Sequence, residues 1–267
     1  MTILNKVERS FRRALHSYDA EAIVQLEIAQ DLARFLSEST ADKKVFKSAF
    51  EIGCGTGLFT KQLLETFDLE YLEVNDLVAE CEPLIYDCME RSINKNGKPS
   101  EWRFIEGDMN ELVFDKTYDL VCSASCVQWV SDLPSFIDSL GKALNKEGYL
   151  AISSFGPDHF VQLQKVNEAV GNKVHELRYI DESGWHQLLK ETFDAVLIEK
   201  KNITLWFDSL EQLLTHLRKT GVNANAGRQW SQAQLEQFEW HYQDQFAENG
   251  KLPLSFEPVF VIAKKTN

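Results

Sequence analysis

Apolar residues along the chain gather into short runs separated by stretches of helical spacing. The runs are Val45 to Phe50, Glu70 to Val74, Trp102 to Ile105, Tyr118 to Ser123 and Tyr149 to Ser153. Each is short enough to be a half-buried or fully buried strand. Between them, Leu58, Leu63, Leu64 and Phe67 recur near helical spacing, and Leu133 to Leu144 reads as a helix stopped by Glu147-Gly148. Strands alternating with helices of this length predict an α/β fold built on a parallel, right-handed, doubly wound sheet. Downstream, Phe160 to Val170 and Ser183 to Phe193 read helical, Ala195 to Phe207 extended, and Leu210 to Leu217 and Ala233 to Phe246 helical again. Pro258 to Ala263 closes the chain as an apolar strand. Upstream, Val24, Ile28, Leu32 and Phe35 form an apolar stripe, and Tyr18, beside Ser17 and Asp19, is expected just before that helix.

The first strand runs into Glu51 to Gly57, EIGCGTG. Glycines there let the backbone take positive φ and let a ligand approach where a Cβ would collide. A helix beginning beside a glycine turn is the phosphate-cradling element of dinucleotide sites, but the dinucleotide spacing is G-x-G-x-x-G. Here it is G-x-G-x-G, with the acid Glu51 two residues ahead of Gly53. A carboxylate would repel phosphate and could hold an ammonium, so an amino-acid-like, cationic cofactor fits better. S-adenosylmethionine is one, and the pattern resembles motif I of the class I methyltransferases. Another nucleotide-binding or purely structural turn is the alternative. At the end of the next strand Asp76 is placed to hydrogen-bond ribose hydroxyls, or else to act as a turn or helix-cap acid. After the third, Asp108 and Met109 stand where such enzymes hold the adenine, or in a surface turn.

Composition changes the picture in three ways. A chain of 267 residues with 44% hydrophobic content can bury one full core, so a single domain is expected over 1–267. No run of about 20 apolar residues or signal-like leader is present, which predicts a cytoplasmic protein with no membrane contact. The formal charge of −13, without an evident basic face, argues against nucleic acid and toward a small-molecule or carrier-held substrate. The five cysteines form no C-x-x-C pair, so no metal is expected. The six histidines, His159 among them, are scattered and read as surface or partner-bonded residues.

The segments outside the glycine turn narrow the class. FRRALHSYDAEAIVQLEIAQDL, with Phe11, Tyr18, Ala22 and Gln25, resembles the N-terminal segment of the malonyl-acyl-carrier-protein O-methyltransferases of biotin synthesis (the BioC family). Val127-Gln128-Trp129 resembles that family's Q-W after strand four, and Phe155-Gly156-Pro157 its F-G-P after strand five. Arg178-Tyr179, ITLWF at Ile203 to Phe207, TGVN from Thr220 and GKLP from Gly250 follow in the same order. The resemblance spans Phe11 to Ala263. Asn75-Asp76 departs from an apolar-Asp pair, Val78 stands where Ser is frequent, and Asn94 to Ser100 lengthens a loop.

The resemblance implies a Rossmann-like class I methyltransferase with a seven-stranded, mostly parallel sheet. Its last strand would be antiparallel, with an N-terminal helix and a helical insertion between the last two strands. The expected parts are a helical lid over 1–40, a cofactor-binding half over 41–155 and a substrate-side half over 156–267 capped by helices near 208–250. The implied reaction is methyl transfer from S-adenosylmethionine to the free carboxylate of a malonyl thioester, on acyl carrier protein or coenzyme A. The methyl ester then primes pimeloyl formation. Glu51, Gly53, Gly55, Gly57, Asp76, Asp108 and Met109 would meet the cofactor. Tyr18, Gln128, Trp129 and Arg178 would meet the substrate, Tyr18 and Arg178 orienting its carboxylate, in a protein expected to be monomeric. Another small-molecule methyltransferase and a non-catalytic cofactor-binding regulator are the alternatives.

Overall fold

A computed structural model describes residues 3–40, 44–92, 99, 101–172, 179–221 and 231–265. Two helices open the chain, α1 (Ile3–Glu21) and α2 (Ile23–Ser39). The first sheet strand, β2 (Ala49–Ile52), follows a two-residue strand, β1 (Val45–Phe46), that pairs in parallel with β3 (Asp68–Leu69). Helix α3 (Leu58–Thr66) leads to β4 (Tyr71–Asp76), α4 (Glu82–Arg91) to β5 (Glu101–Glu106), and β6 (Tyr118–Ala124) through α5 (Leu133–Ala143) to β7 (Leu144–Phe155). Then come α6 (Val161–Ala169), α7 (Glu182–Leu189), β8 (Phe193–Lys200), β9 (Ile203–Phe207), α8 (Leu210–Lys219), α9 (Gln232–Phe246), β10 (Leu252–Phe256) and β11 (Pro258–Lys265).

The main sheet has seven strands in the order β5-β4-β2-β6-β7-β11-β8. The first five are mutually parallel, and β11 inserts antiparallel between β7 and β8. Every position of β2 is buried, as a strand covered on both faces requires. In β11 the side chains alternate between two cores: Phe260 and Ile262 join α2 and α3 on one side, and Val259, Val261 and Ala263 join α5 and α7 on the other. An edge-to-face contact of Phe35 with Phe260, ring centroids 5.1 Å apart, docks α2 on the sheet. The chain builds outward from β2 to one edge, then returns to add β6 and β7 on the other side. The crevice over the carboxyl ends of β2 and β6 is therefore the switch point where open α/β sheets bind ligands.

Several segments differ from the sequence reading. The run Val45 to Phe50 is two strands, β2 continuing to Ile52, and Leu144 to Gly148, read as a helix end and its stop, open β7. Tyr18 lies in the last turns of α1, because a helix precedes α2 and the two are broken only at Ala22. The extended stretch Ala195 to Phe207 is two strands: Lys201 and Asn202 interrupt it, and β9 leaves the main sheet to pair antiparallel with β10. Pro253, opposite Trp206 in that ribbon, disguises β10 in the sequence, since proline argues against a central strand and is tolerated in such a two-stranded edge. The predicted helix Ser183 to Phe193 ends at Leu189, and Phe193 opens β8.

Candidate functional site

The turn after β2 is held from the neighbouring strand. Gly53, Gly55 and Gly57 have φ of +70°, +55° and +88°. The Asn75 carbonyl accepts from the N–H groups of Gly53 (2.8 Å) and Cys54 (2.9 Å). The Asp76 carboxylate accepts from Gly55 N–H at 2.8 Å and Val78 N–H at 2.9 Å, so it fixes the turn and the bend after β4 together. Burial pushes the Asp76 carboxyl's pKa up against those hydrogen bonds. Asn75, the departure noted in the sequence, has a job of its own. Its amide donates to the carbonyls of Ile105 (2.9 Å) and Gly107 (3.0 Å), clamping the end of β5 to β4 and setting where Asp108 begins. The Asp108 carboxylate accepts from the backbone and side-chain N–H groups of Asn110 at 2.9 and 2.7 Å.

These strand ends line one cleft with a free volume of about 160 Å3. Of the residues expected around a cofactor, Gly53, Gly55, Asp76, Asp108 and Met109 are on its walls. Glu51 and Gly57 stand behind it. Gly57 faces Ile85 and Cys88 of α4, and Glu51 is 1% exposed, accepting from the Thr60 hydroxyl of α3 at 2.7 Å. Burial, opposed by that bond, pushes the Glu51 carboxyl up to about 8, so near neutral pH it is protonated. From the sequence Glu51 is expected to face an ammonium; in this structure it lies behind the cleft wall and bonds to Thr60. The unfolded chain ionises this group near 4.5 and the folded chain near 8, so its contribution to stability is full below 4.5 and is lost as pH rises through about 8. Glu51→Gln is expected to flatten the fall of melting temperature between those limits. Parallel curves for the two proteins would contradict the assignment.

Tyr18, Gln128 and Trp129 also line the cleft, so three of the four substrate-side expectations meet at one place; Arg178 lies outside the described residues. Helix α1 closes the top. Phe11 packs edge to face on Tyr18 with centroids 5.0 Å apart, and its ring tip would lie 3.2 Å from a Cβ at Gly55. Ser17 donates to the Lys219 carbonyl at 3.2 Å and Lys219 pairs with Glu21 at 2.6 Å, which ties α1 to the end of α8. Burial pushes the Tyr18 hydroxyl's pKa well up, so it stays a donor across the working range of pH.

Buried polar atoms without partners converge here. Among the described residues, Gln25 Oε1, Thr56 Oγ1, Ser125 Oγ, Gln128 Oε1 and His159 Nδ1 are buried, unpartnered and on residues of the cleft wall; Trp185 Nε1 and His216 Nε2 are the other two such atoms. Buried polar groups are nearly always hydrogen-bonded, so this concentration marks space shaped for a polar ligand. In the sequence His159 reads as a surface or partner-bonded residue. It is buried, its Nδ1 has no partner among the described residues, and the available signal is its place just past the carboxyl end of β7.

A doubly wound sheet with one antiparallel strand, a glycine turn at its switch point and acids at the next two strand ends together define a class I methyltransferase. The family described as a methyltransferase domain matches residues 20–221. A malonyl-[acyl-carrier protein] O-methyltransferase of Haemophilus ducreyi is 33% identical over 98% of this chain and 96% of its own, and one of Bacteroides helcogenes is 30% identical over 97% of each. Among solved structures, the N-methyltransferase NodS of Bradyrhizobium japonicum in complex with S-adenosyl-L-homocysteine superposes with a TM-score of 0.55, at 14% identity over 98% of this chain and all of that one. The chain belongs to the malonyl-[acyl-carrier protein] O-methyltransferase family.

Proposed function

We propose that this protein transfers a methyl group from S-adenosylmethionine to the free carboxylate of a malonyl thioester carried by acyl carrier protein, giving the methyl ester that primes pimeloyl formation for biotin. The observation that carries the reading is the full-length likeness to relatives of that name, 33% identical over nearly the whole of both chains in the case of Haemophilus ducreyi. The cleft fits it. Asp76 would hold the ribose hydroxyls, Asp108 and Met109 the adenine, and the turn at Gly53 to Gly55 the methionyl end. When bound, the cofactor supplies both the methyl group and, in its sulfonium, the leaving group.

The protein's own share is placement. A malonyl carboxylate has a pKa well below 7 and is already a nucleophile, so no general base is required. Holding it in line with the methyl group can lower the barrier by about 7–11 kcal/mol. Phe11 and Tyr18 of α1 keep water from the site, and the protonated Tyr18 hydroxyl can orient a carboxylate oxygen without adding a charge that would quench it.

Acyl carrier proteins are acidic, so at −13 any attraction must be local, since charges beyond roughly 10 Å are screened at 0.1 M salt. Arg218 and Lys219, at the end of α8, are the described basic residues proposed for that contact. Lys219 is already paired with Glu21, and the Arg218 guanidinium donates to the Thr215 hydroxyl at 2.8 Å. We propose that the protein acts as a cytoplasmic monomer without metal. A bacterium unable to make its early biotin precursor tests the assignment: expression of this chain should restore growth without biotin. Failure to restore growth by a soluble, cofactor-binding protein would overturn it.

A further inference from the structure

The strand order lays out the cleft from one end to the other. Asp108 follows β5, Asp76 ends β4, the glycine turn follows β2, Ser125 to Trp129 follow β6 and His159 follows β7. A cofactor occupying the first three places leaves the space over β6 and β7 to the methyl acceptor. His159, between Phe155 and Phe160 on the cleft wall, is the polar side chain at the β7 end of that space among the described residues. It is 1% exposed, lines the cleft, and has no partner for Nδ1 among the described residues.

The protein holds this ring firmly and by apolar means. Phe155 stacks on one side at 3.8 Å between centroids with 26° between planes, and Phe160 lies at 3.8 Å and 30°. Tyr179 and Phe256 meet it edge-on at 5.2 and 5.5 Å. Its backbone is fixed as well: His159 N–H donates to the Gly156 carbonyl at 3.1 Å, and its own carbonyl accepts from the Gln164 amide at 2.7 Å. The loop is anchored one step earlier by Glu257, which is 2% exposed, accepts from Asp158 N–H at 2.8 Å and pairs with Lys200 at 3.2 Å. A rigid imidazole with an idle nitrogen in an apolar box is costly to keep unless something bonds to it.

We propose that His159 is a substrate-binding residue whose imidazole N–H donates to the carboxylate that receives the methyl group, leaving the other carboxylate oxygen free to attack. The assignment rests on the reading of the acceptor as a carboxylate. Burial holds the imidazole well below its ordinary pKa, so it is neutral at physiological pH. A neutral donor suits the chemistry: it orients the anion and excludes water, whereas a full positive charge would draw electron density from the nucleophile. The apolar rings around it leave the carboxylate poorly solvated, which favours attack.

Two variants and one spectroscopic measurement test this. His159→Phe keeps a ring between Phe155 and Phe160 and removes both nitrogens. It should raise KM for the malonyl thioester about 10–100-fold, the range for a lost hydrogen bond to a charged group, while S-adenosylhomocysteine affinity is unchanged. His159→Asn places an amide nitrogen at the same δ position as Nδ1 and should recover most of that loss. In the wild-type protein with S-adenosylhomocysteine bound, the imidazole nitrogen resonances of His159 should shift on adding malonyl thioester. Wild-type KM in His159→Phe, an equal loss of cofactor-product affinity, or unmoved nitrogen resonances would each overturn the assignment. The two readings fail differently: wild-type protein that methylates no malonyl thioester sinks the proposed function, and full activity in both variants sinks His159 alone.

Discussion

Gly55→Val is expected to abolish measurable S-adenosylmethionine binding while the protein remains folded. Gly55 has φ +55°, a conformation that a β-branched residue adopts only as an outlier, and a Cβ there would meet the Phe11 ring at 3.2 Å. Relief requires the Phe11 ring to give way, the turn to rotate or α1 to lift. Rotation detaches Gly55 N–H from Asp76, and lifting opens the cleft that Phe11 covers. Strain of about 1–3 kcal/mol would also lower the melting temperature by roughly 2–10 °C. Calorimetric titration with the cofactor and a thermal melt read the two effects separately. Near-wild-type affinity would contradict the placement of the cofactor against this turn.

Asp76→Ala should have the next largest effect, for a reason visible only in three dimensions. Its carboxylate satisfies the N–H groups of Gly55 and Val78, and removing it leaves both donors without their acceptor. Each such loss costs about 1–3 kcal/mol, and the ribose would lose its partner too, so affinity should fall about 10–100-fold or more together with stability. Asp76→Asn retains an acceptor oxygen but sets an amide donor against one of the two N–H groups, and should fall between. Stability lost with affinity intact would make Asp76 a turn acid and nothing more.

The parts of the site that sequence revealed are those in which backbone geometry dictates residue type. Three glycines spaced G-x-G-x-G can be read without coordinates because each sits at positive φ. The strand-end acids Asp76 and Asp108 are legible from their distance along a predicted βαβ pattern. The seven-stranded sheet with its antiparallel insertion follows from the same alternation joined to the family resemblance. What could not be read depends on which way a side chain faces. Glu51 looks like a ligand carboxylate in the string, yet Thr60, nine residues on, turns it behind the turn. His159 looks like one of six scattered histidines until Phe155 and Phe160 are seen to close on it. The β9–β10 ribbon joins residues far apart in the sequence, and no local pattern announces such a pairing.

The position of the methyl group on the product decides whether the acceptor is the malonyl carboxylate. The protein should be incubated with labelled S-adenosylmethionine and, separately, malonyl-acyl carrier protein, malonyl-coenzyme A and a panel of free acids, and the products analysed by mass spectrometry before and after mild alkali. The malonyl group on the carrier protein should be one methyl heavier, with the label released by alkali as methanol, as expected of a methyl ester. A methyl group on carbon or nitrogen that survives alkali, or no transfer to any malonyl thioester by protein that binds the cofactor, would contradict that assignment.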